Sequence, residues 1–234
     1  MTAHTLEADS ISLEFGLRRI LSDIHLTCRT GEITGLLGRN GQGKTCLLRI
    51  LYGDLEATSQ SVRFDHRQVA QAYKLPGLLS YLPQFNYIPP SLTLQRIFDD
   101  FELDYTQLEQ GFPQFRARRK SCIRDLSGGE ERLINVYLLI RSRSQFTLLD
   151  EPFSHLMPIQ IDKIKELLLE ERANKGFLIT DHLYWHITGI SDKFYILSDG
   201  RTHQAKDIRD IERLGYAPGP SLHSGIYDTH YPKR

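Results

Sequence analysis

Residues 32–51 read Glu32-Ile33-Thr34-Gly35-Leu36-Leu37-Gly38-Arg39-Asn40-Gly41-Gln42-Gly43-Lys44-Thr45-Cys46-Leu47-Leu48-Arg49-Ile50-Leu51. Glu32–Leu37 has the length and apolar content of a short buried strand, and Cys46–Leu51 reads as a helix. Between them, Gly38–Thr45 fits the phosphate-binding pattern G-x-x-x-x-G-K-[ST]. A strand, a glycine-rich loop and a helix N-terminus in this order form an anion site. Gly41 and Gly43 let backbone N–H groups approach phosphate oxygens closely, Lys44 reaches the β- and γ-phosphates, and the Thr45 hydroxyl suits Mg²⁺. A chance glycine-rich turn has no need of both flanks. This stretch predicts an α/β fold whose site lies at the carboxyl ends of its strands.

A second motif follows downstream. Gln145-Phe146-Thr147-Leu148-Leu149-Asp150-Glu151 is an apolar run ending in two carboxylates, as a buried parallel strand with its site end would. Asp150 is suited to hold Mg²⁺ and Glu151 to polarise an attacking water; alone, the pair would read as a strand meeting a solvated turn. A third motif, Leu126-Ser127-Gly128-Gly129-Glu130, precedes the helical run Arg132–Ile140. It places Ser127, Gly128 and Gly129 at a second helix N-terminus, or at an ordinary N-capped Ser-Gly-Gly turn.

Together these motifs resemble those of the ATP-binding cassette (ABC) ATPases, whose signature is LSGGQ with LSGGE as a variant. The resemblance implies an α/β P-loop NTPase core of the ABC type, with an antiparallel β subdomain and an inserted α-helical subdomain. It extends residue by residue. Tyr81-Leu82-Pro83-Gln84 resembles the Q-loop and Ile179-Thr180-Asp181-His182 the switch-histidine loop. Phe15, 29 residues before Lys44, resembles the aromatic that stacks on adenine.

The resemblance thus implies ATP and Mg²⁺ as ligands. Nucleotide contacts fall on Phe15, Gly38, Arg39, Asn40, Gly41, Gln42, Gly43, Lys44, Thr45, Cys46, Ser127, Gly128, Gly129 and Glu130, and metal contacts on Thr45, Gln84 and Asp150. Catalytic roles fall on Glu151, His182 and Gln84. Two cassettes, alike or different, would close head to tail on two ATP molecules. They would drive integral membrane permease subunits, which choose the cargo, at the cytoplasmic face of the membrane. A soluble ATPase acting on ribosomes or DNA, or a non-hydrolysing ATP-gated module, is the alternative. The motifs run in order from Phe15 to His182, about three-quarters of the chain. Asp150-Glu151-Pro152-Phe153 with LSGGE further resembles single-cassette subunits of bacterial lipopolysaccharide export.

Composition agrees with one cassette. The 234 residues are 40% hydrophobic, enough for one globular domain with a smaller subdomain. Formal net charge is zero, so no nucleic-acid partner is expected. No apolar stretch approaches the roughly 18–20 residues that cross a bilayer, and the first residues lack a signal-peptide pattern. Cys28, Cys46 and Cys122 are scattered, which suits a reducing compartment.

Along the chain, Leu6–Phe15 and Asp23–Cys28 alternate as strands. Val62–Phe64, Leu78–Leu82, Gly176–Thr180 and Phe194–Ser198 read as further strands, the last followed by an Asp199-Gly200 hairpin turn. The helical insert spans about residues 85–142, with a helix at Leu92–Phe101. Leu126 lies 42 residues after Gln84, short enough that the insert lacks part of a helix. Its basic run Phe115–Lys120 reads as a solvated helix face. Ile159–Arg172 is an amphipathic helix, and Asp207–Leu214 a short closing helix. The ATPase domain extends over 1–214, with an irregular tail at 215–234. One position departs from the family pattern: Met157 stands where the loop after the Asp-Glu pair usually carries Asp. Met can neither cap the following helix nor make an Asp's polar contacts, which implies altered cooperation between two ATP sites.

Overall fold

The computed structural model of the protein describes residues 3–182, 184–205 and 210. The expected Asp207–Leu214 helix and the tail from Gly215 lie outside the described residues, apart from Asp210.

The opening stretch folds as its pattern dictates. Strand β3 (Ile33–Leu37) is buried along its whole length and passes through the glycine loop into helix α1 (Lys44–Tyr52). Before it come β1 (Thr5–Phe15) and β2 (Arg18–Arg29), and after α1 come β4 (Ser59–Phe64) and β5 (Arg67–Gln68). Strand β6 (Leu79–Leu82) leads into α2 (Leu94–Asp100), α3 (Tyr105–Gly111) and α4 (Gly128–Arg141). The chain continues through β7 (Phe146–Asp150), α5 (Pro158–Glu171), β8 (Gly176–Thr180), α6 (Tyr184–Thr188), β9 (Lys193–Ser198) and β10 (Arg201–Ala205). Strand β2 is longer than Asp23–Cys28 because it pairs with β1 down to the Phe15–Arg18 hairpin end.

One ten-stranded sheet runs β5-β4-β1-β2-β10-β9-β3-β8-β7-β6. Its parallel part joins β3 to β8 and β9, β8 to β7, and β7 to β6. The strands β3, β7 and β8 are buried throughout, as strands covered on both faces must be. Its antiparallel part is the β4-β1-β2 ribbon, and β9 turns back as β10 through Asp199 and Gly200, both at positive φ. Register decides where function can sit. Leu82 pairs beside Leu149, and Asp150 beside Thr180, so the loops after β6, β7 and β8 leave the sheet at one end.

Two apolar clusters sandwich the sheet. On one side α1 buries Leu47, Leu48 and Leu51 with Phe64, Phe146 and Leu148. On the other, α4, α5 and the helices before α4 share a cluster with Leu149 and Ile179. The insert is held by aromatic packing: Phe98 lies 4.9 Å from Tyr105 edge-on and 5.8 Å from Tyr137 stacked, centroid to centroid. Helix α3, which the sequence reading did not place, starts on the Asp104 side chain as its N-cap.

The basic run departs from expectation. It is not a helix: Pro113–Phe115 form a single 3-10 turn, and Ala117 takes φ +60°. Nor are Arg118 and Arg119 simply solvated. Arg119 pairs with Glu109 at 2.8 Å and lies 4.9 Å over the Tyr105 ring. Arg118 pairs with Glu130 at 2.5 Å. Both carboxylates are remote in sequence, so a charge run could not reveal the pairings.

Candidate functional site

The glycine loop is squeezed between neighbouring strands. A Cβ on Gly38 would stand 2.9 Å from the Leu197 carbonyl oxygen, and one on Gly43 2.7 Å from Ile20 Cγ2. Gly43 also has φ +97°, so both space and backbone demand glycine there. Gly43 is the N-cap of α1, and this first turn has no side-chain cap and no acidic residue among the described residues. That turn offers its N–H groups and positive dipole end to an anion. Lys44, only 6% exposed, folds its Nζ back to donate to the carbonyls of Gly38 (2.6 Å) and Arg39 (3.3 Å). Burial lowers its pKa, while Glu151, Asp150 and Asp181 oppose that shift.

Around the loop's end the other motifs converge. Gln84 Nε2 donates to Thr45 Oγ1 at 3.1 Å, to Asp150 Oδ1 at 3.4 Å and to Glu151 Oε1 at 3.2 Å. One amide therefore joins the phosphate loop, the end of β7 and the loop after β6. Asp150 is fully buried; burial raises its pKa, and hydrogen bonds from Thr45, Gln84 and Tyr81 oppose the rise. Glu151 follows with φ +50°, a left-handed conformation that costs a non-glycine residue about 1 kcal/mol or more. Its N–H donates to the Thr180 carbonyl at 2.8 Å. His182 Nδ1 stands 3.7 Å from Glu151 Oε2 and 3.5 Å from Asp181 Oδ1.

A cleft of about 560 Å³ opens beside the loop, lined by Phe15, Arg18, Ile20, Asn40, Thr45 and Glu151 among others. Phe15 is 54% exposed, its ring available to a flat ligand. Gly41, Cys46 and Gln84 also border this cleft, and the signature residues do not. They form the start of α4 instead. Ser127 is its N-cap, with a reciprocal capping box: Ser127 Oγ accepts from Glu130 N at 3.3 Å, and Glu130 Oε2 accepts from Ser127 N at 2.8 Å. Glu130 is thus committed to holding its own turn and to Arg118. The capping bonds and that arginine hold its carboxyl below the usual range against the opposing effect of burial.

The donor set near Gln84 fits Mg²⁺. Thr45 Oγ1 and the Asp150 carboxylate are hard oxygen ligands, and the Gln84 side-chain carbonyl would join them once its amide, whose Nε2 faces both groups, turns over. A single carboxylate beside a phosphate site is how that ion is commonly held. No cluster of three or more His, Cys, Asp or Glu suited to a metal occurs among the described residues.

Sequence reasoning missed Arg132. It is 2% exposed, and its guanidinium donates to the carbonyls of Pro83 (2.7 Å), Asp150 (2.8 Å) and Glu151 (2.9 Å). The available signal was a charged residue at the head of the run Leu133–Ile140, which is apolar but for Asn135.

Comparison with known proteins agrees with this geometry. The ABC transporter family profile matches residues 21–154. The lipopolysaccharide export system ATP-binding protein LptB of Escherichia coli K12 is 30% identical over 212 residues, covering 84% of this chain and 88% of that protein. LptB of Acidithiobacillus ferridurans is 29% identical over 220 residues, covering 88% and 91%. A solved ATP-binding subunit of an ABC transporter superposes with a TM-score of 0.75 at 23% identity, covering 90% of this chain and 92% of that one. No helix among the described residues is long and apolar enough to cross a membrane. The phosphate loop, the Asp-Glu strand end and the capped signature thus stand on a shared fold, and the chain belongs to the ABC transporter family.

Proposed function

We propose that the chain is the ATP-hydrolysing subunit of an ABC transporter and acts through separate permease subunits at the cytoplasmic face of a membrane. The observation that carries this reading is the Gln84 amide, bonded at once to Thr45, Asp150 and Glu151 beside the phosphate loop. The triphosphate lies along the open start of α1, with Lys44 turned outward to the β- and γ-phosphates and adenine against Phe15. Thr45, Asp150 and, through its side-chain carbonyl, Gln84 would hold Mg²⁺, which would supply positive charge to the phosphate oxygens. Glu151 orients a water and takes its proton as the water oxygen attacks the γ-phosphorus. The bond to the β–γ bridging oxygen breaks and ADP leaves. His182 holds the γ-phosphate. A second cassette, alike or different, contributes Ser127, Gly128 and Gly129 across the nucleotide.

A groove of about 580 Å³ lies on the far side of Gln84, lined by Tyr52, Asp54, Tyr81, Phe85 and Tyr87 among others. Phe85 is 70% exposed there. We assign this groove to a permease segment, so that a partner's movement reaches Gln84 directly.

The test is tagged Glu151→Gln protein captured with ATP from detergent-solubilised membranes and analysed by mass spectrometry, alongside ATPase assays. The expected result is co-purification of a multi-spanning membrane protein, with turnover reduced about 10²–10⁴-fold. Recovery of soluble partners alone would overturn the transporter role and leave the ATPase standing. Unchanged turnover in Glu151→Gln would remove Glu151 from its role.

A further inference from the structure

Arg132 poses an energetic question. It sits on the second turn of α4, nearly inaccessible, and no carboxylate forms an ion pair with it among the described residues. Its two Nη groups serve three main-chain carbonyls, and its Nε is buried without a partner. Burial lowers its pKa against the more distant charges of Asp150, Glu151 and Asp181. Burying a cation that only neutral acceptors meet is unfavourable, and an apolar side chain of similar volume would commonly be as stable. Positions that break a stability rule in this way tend to be functional.

The identity of the acceptors gives the function. Pro83 immediately precedes Gln84. Asp150 ends β7, and Glu151 follows it in the strained left-handed conformation. One planar, rigid fork thus fixes the main chain on both sides of the gap that the Gln84 side chain bridges, and it is anchored on the helix whose first turn carries Ser127 and Glu130. Lysine cannot reproduce this, because a point charge on a flexible stem does not span three carbonyls in fixed directions.

We infer that Arg132 is a positioning residue for hydrolysis: its guanidinium sets Gln84 and Glu151 relative to each other and ties both to the signature helix. It touches neither nucleotide nor the reacting water. This inference rests on the ATPase reading above. The structure assigns to Arg132 an effect on turnover and none on ATP binding by the same chain, because its hydrogen bonds go to Pro83, Asp150 and Glu151 and none, among the described residues, to the phosphate loop.

The experiment compares Arg132→Lys and Arg132→Met with the wild type in the full chain, measuring kcat, KM, fluorescent-ATP affinity and thermal melting. A misplacement of about 1 Å can reduce turnover by about 10²-fold, and that loss in kcat is expected for Arg132→Met, with nucleotide affinity within about twofold of wild type. Arg132→Lys, which keeps charge and folding, is expected to fall between the two in kcat. Wild-type kcat in either variant would overturn the inference. Equal losses of kcat and nucleotide affinity would also overturn it, since they would signify general disruption. If Arg132→Met fails to fold, the Lys variant decides alone. A wild type without ATPase activity would overturn the parent reading and this one together; an active wild type with unaffected variants would sink this one only.

Discussion

The starts of α1 and α4 are two helix N-termini that the motifs mark for phosphate, and they are built in opposite ways. At α1 the N-cap is Gly43, with no side-chain cap and no acidic residue in the first turn among the described residues. At α4 the N-cap is Ser127, closed by a capping box, with Glu130 and Glu131 in the first turn. The first end is ready for an anion within a single chain. The second meets the N–H groups of Ser127 and Glu130 with its own side chains and carries negative charge where a phosphate would come. A helix dipole alone therefore does not make an anion site; the first-turn side chains decide whether it is open.

The largest expected effect breaks the open end. Lys44→Ala removes the only lysine of the phosphate loop and, with it, charge-assisted hydrogen bonds worth about 1.5–3 kcal/mol each. ATP affinity should fall by about 10- to 100-fold, measured with a fluorescent analogue on the isolated subunit. Ser127→Ala in the same assay should leave affinity unchanged, because that end does not border the cleft. Equal losses in both variants would erase the contrast.

The closed end can be sharpened through Arg118. Its guanidinium meets Glu130 at 2.5 Å and also donates to the Asp125 carbonyl at 3.2 Å, so in the proposed head-to-tail pair it would offset the charge that disfavours a second chain's triphosphate. Arg118→Met should expose that charge. One uncompensated charge a few ångströms from a phosphate is worth about 1 kcal/mol or more. About tenfold more ATP should then be needed for dimerisation, followed by light scattering in a Glu151→Gln background. Adding Glu130→Gln should restore the wild-type requirement, a rescue that a purely structural role of Arg118 would not give. High salt should shrink the single-variant defect.

The contrast was partly legible in the sequence. Gly38–Thr45 with its flanks fixed the strand, the loop and α1, because a phosphate cradle needs glycine where space and φ exclude other residues, as at Gly43. The end of β7 was legible from its all-apolar run into Asp150 and Glu151. What stayed hidden was tertiary. Arg118 and Arg119 read as a solvated helix face, yet they lie in turns and reach Glu130 and Glu109 across the insert. Arg132 read only as the start of a buried helix, since its partners are backbone carbonyls that no side-chain pattern records. The left-handed backbone of Glu151 has no signature in residue type at all.

A third helix start places the smallest effect. Helix α5 begins after Met157, which supplies no side-chain oxygen, so the cap is half-built: Pro158 occupies the first helical position, and Gln160 Oε1 accepts the Met157 N–H at 2.9 Å. Met157 itself is 58% exposed, so replacing it leaves no cavity. Met157→Asp would add the missing acceptor, and such a cap contributes at most about 1 kcal/mol here, or roughly 2–4 °C in melting temperature for a chain of this size. The same carboxylate would restore the family's usual residue in the loop that follows the Asp-Glu pair. If Met157 alters cooperation between two ATP sites, the variant should change the Hill coefficient for ATP as well as the melting point. A higher melting point with an unchanged rate and Hill coefficient would confine position 157 to helix capping. The cooperation hypothesis would then be lost, and the starts of α1 and α4 would be left as the helix ends proposed to meet nucleotide.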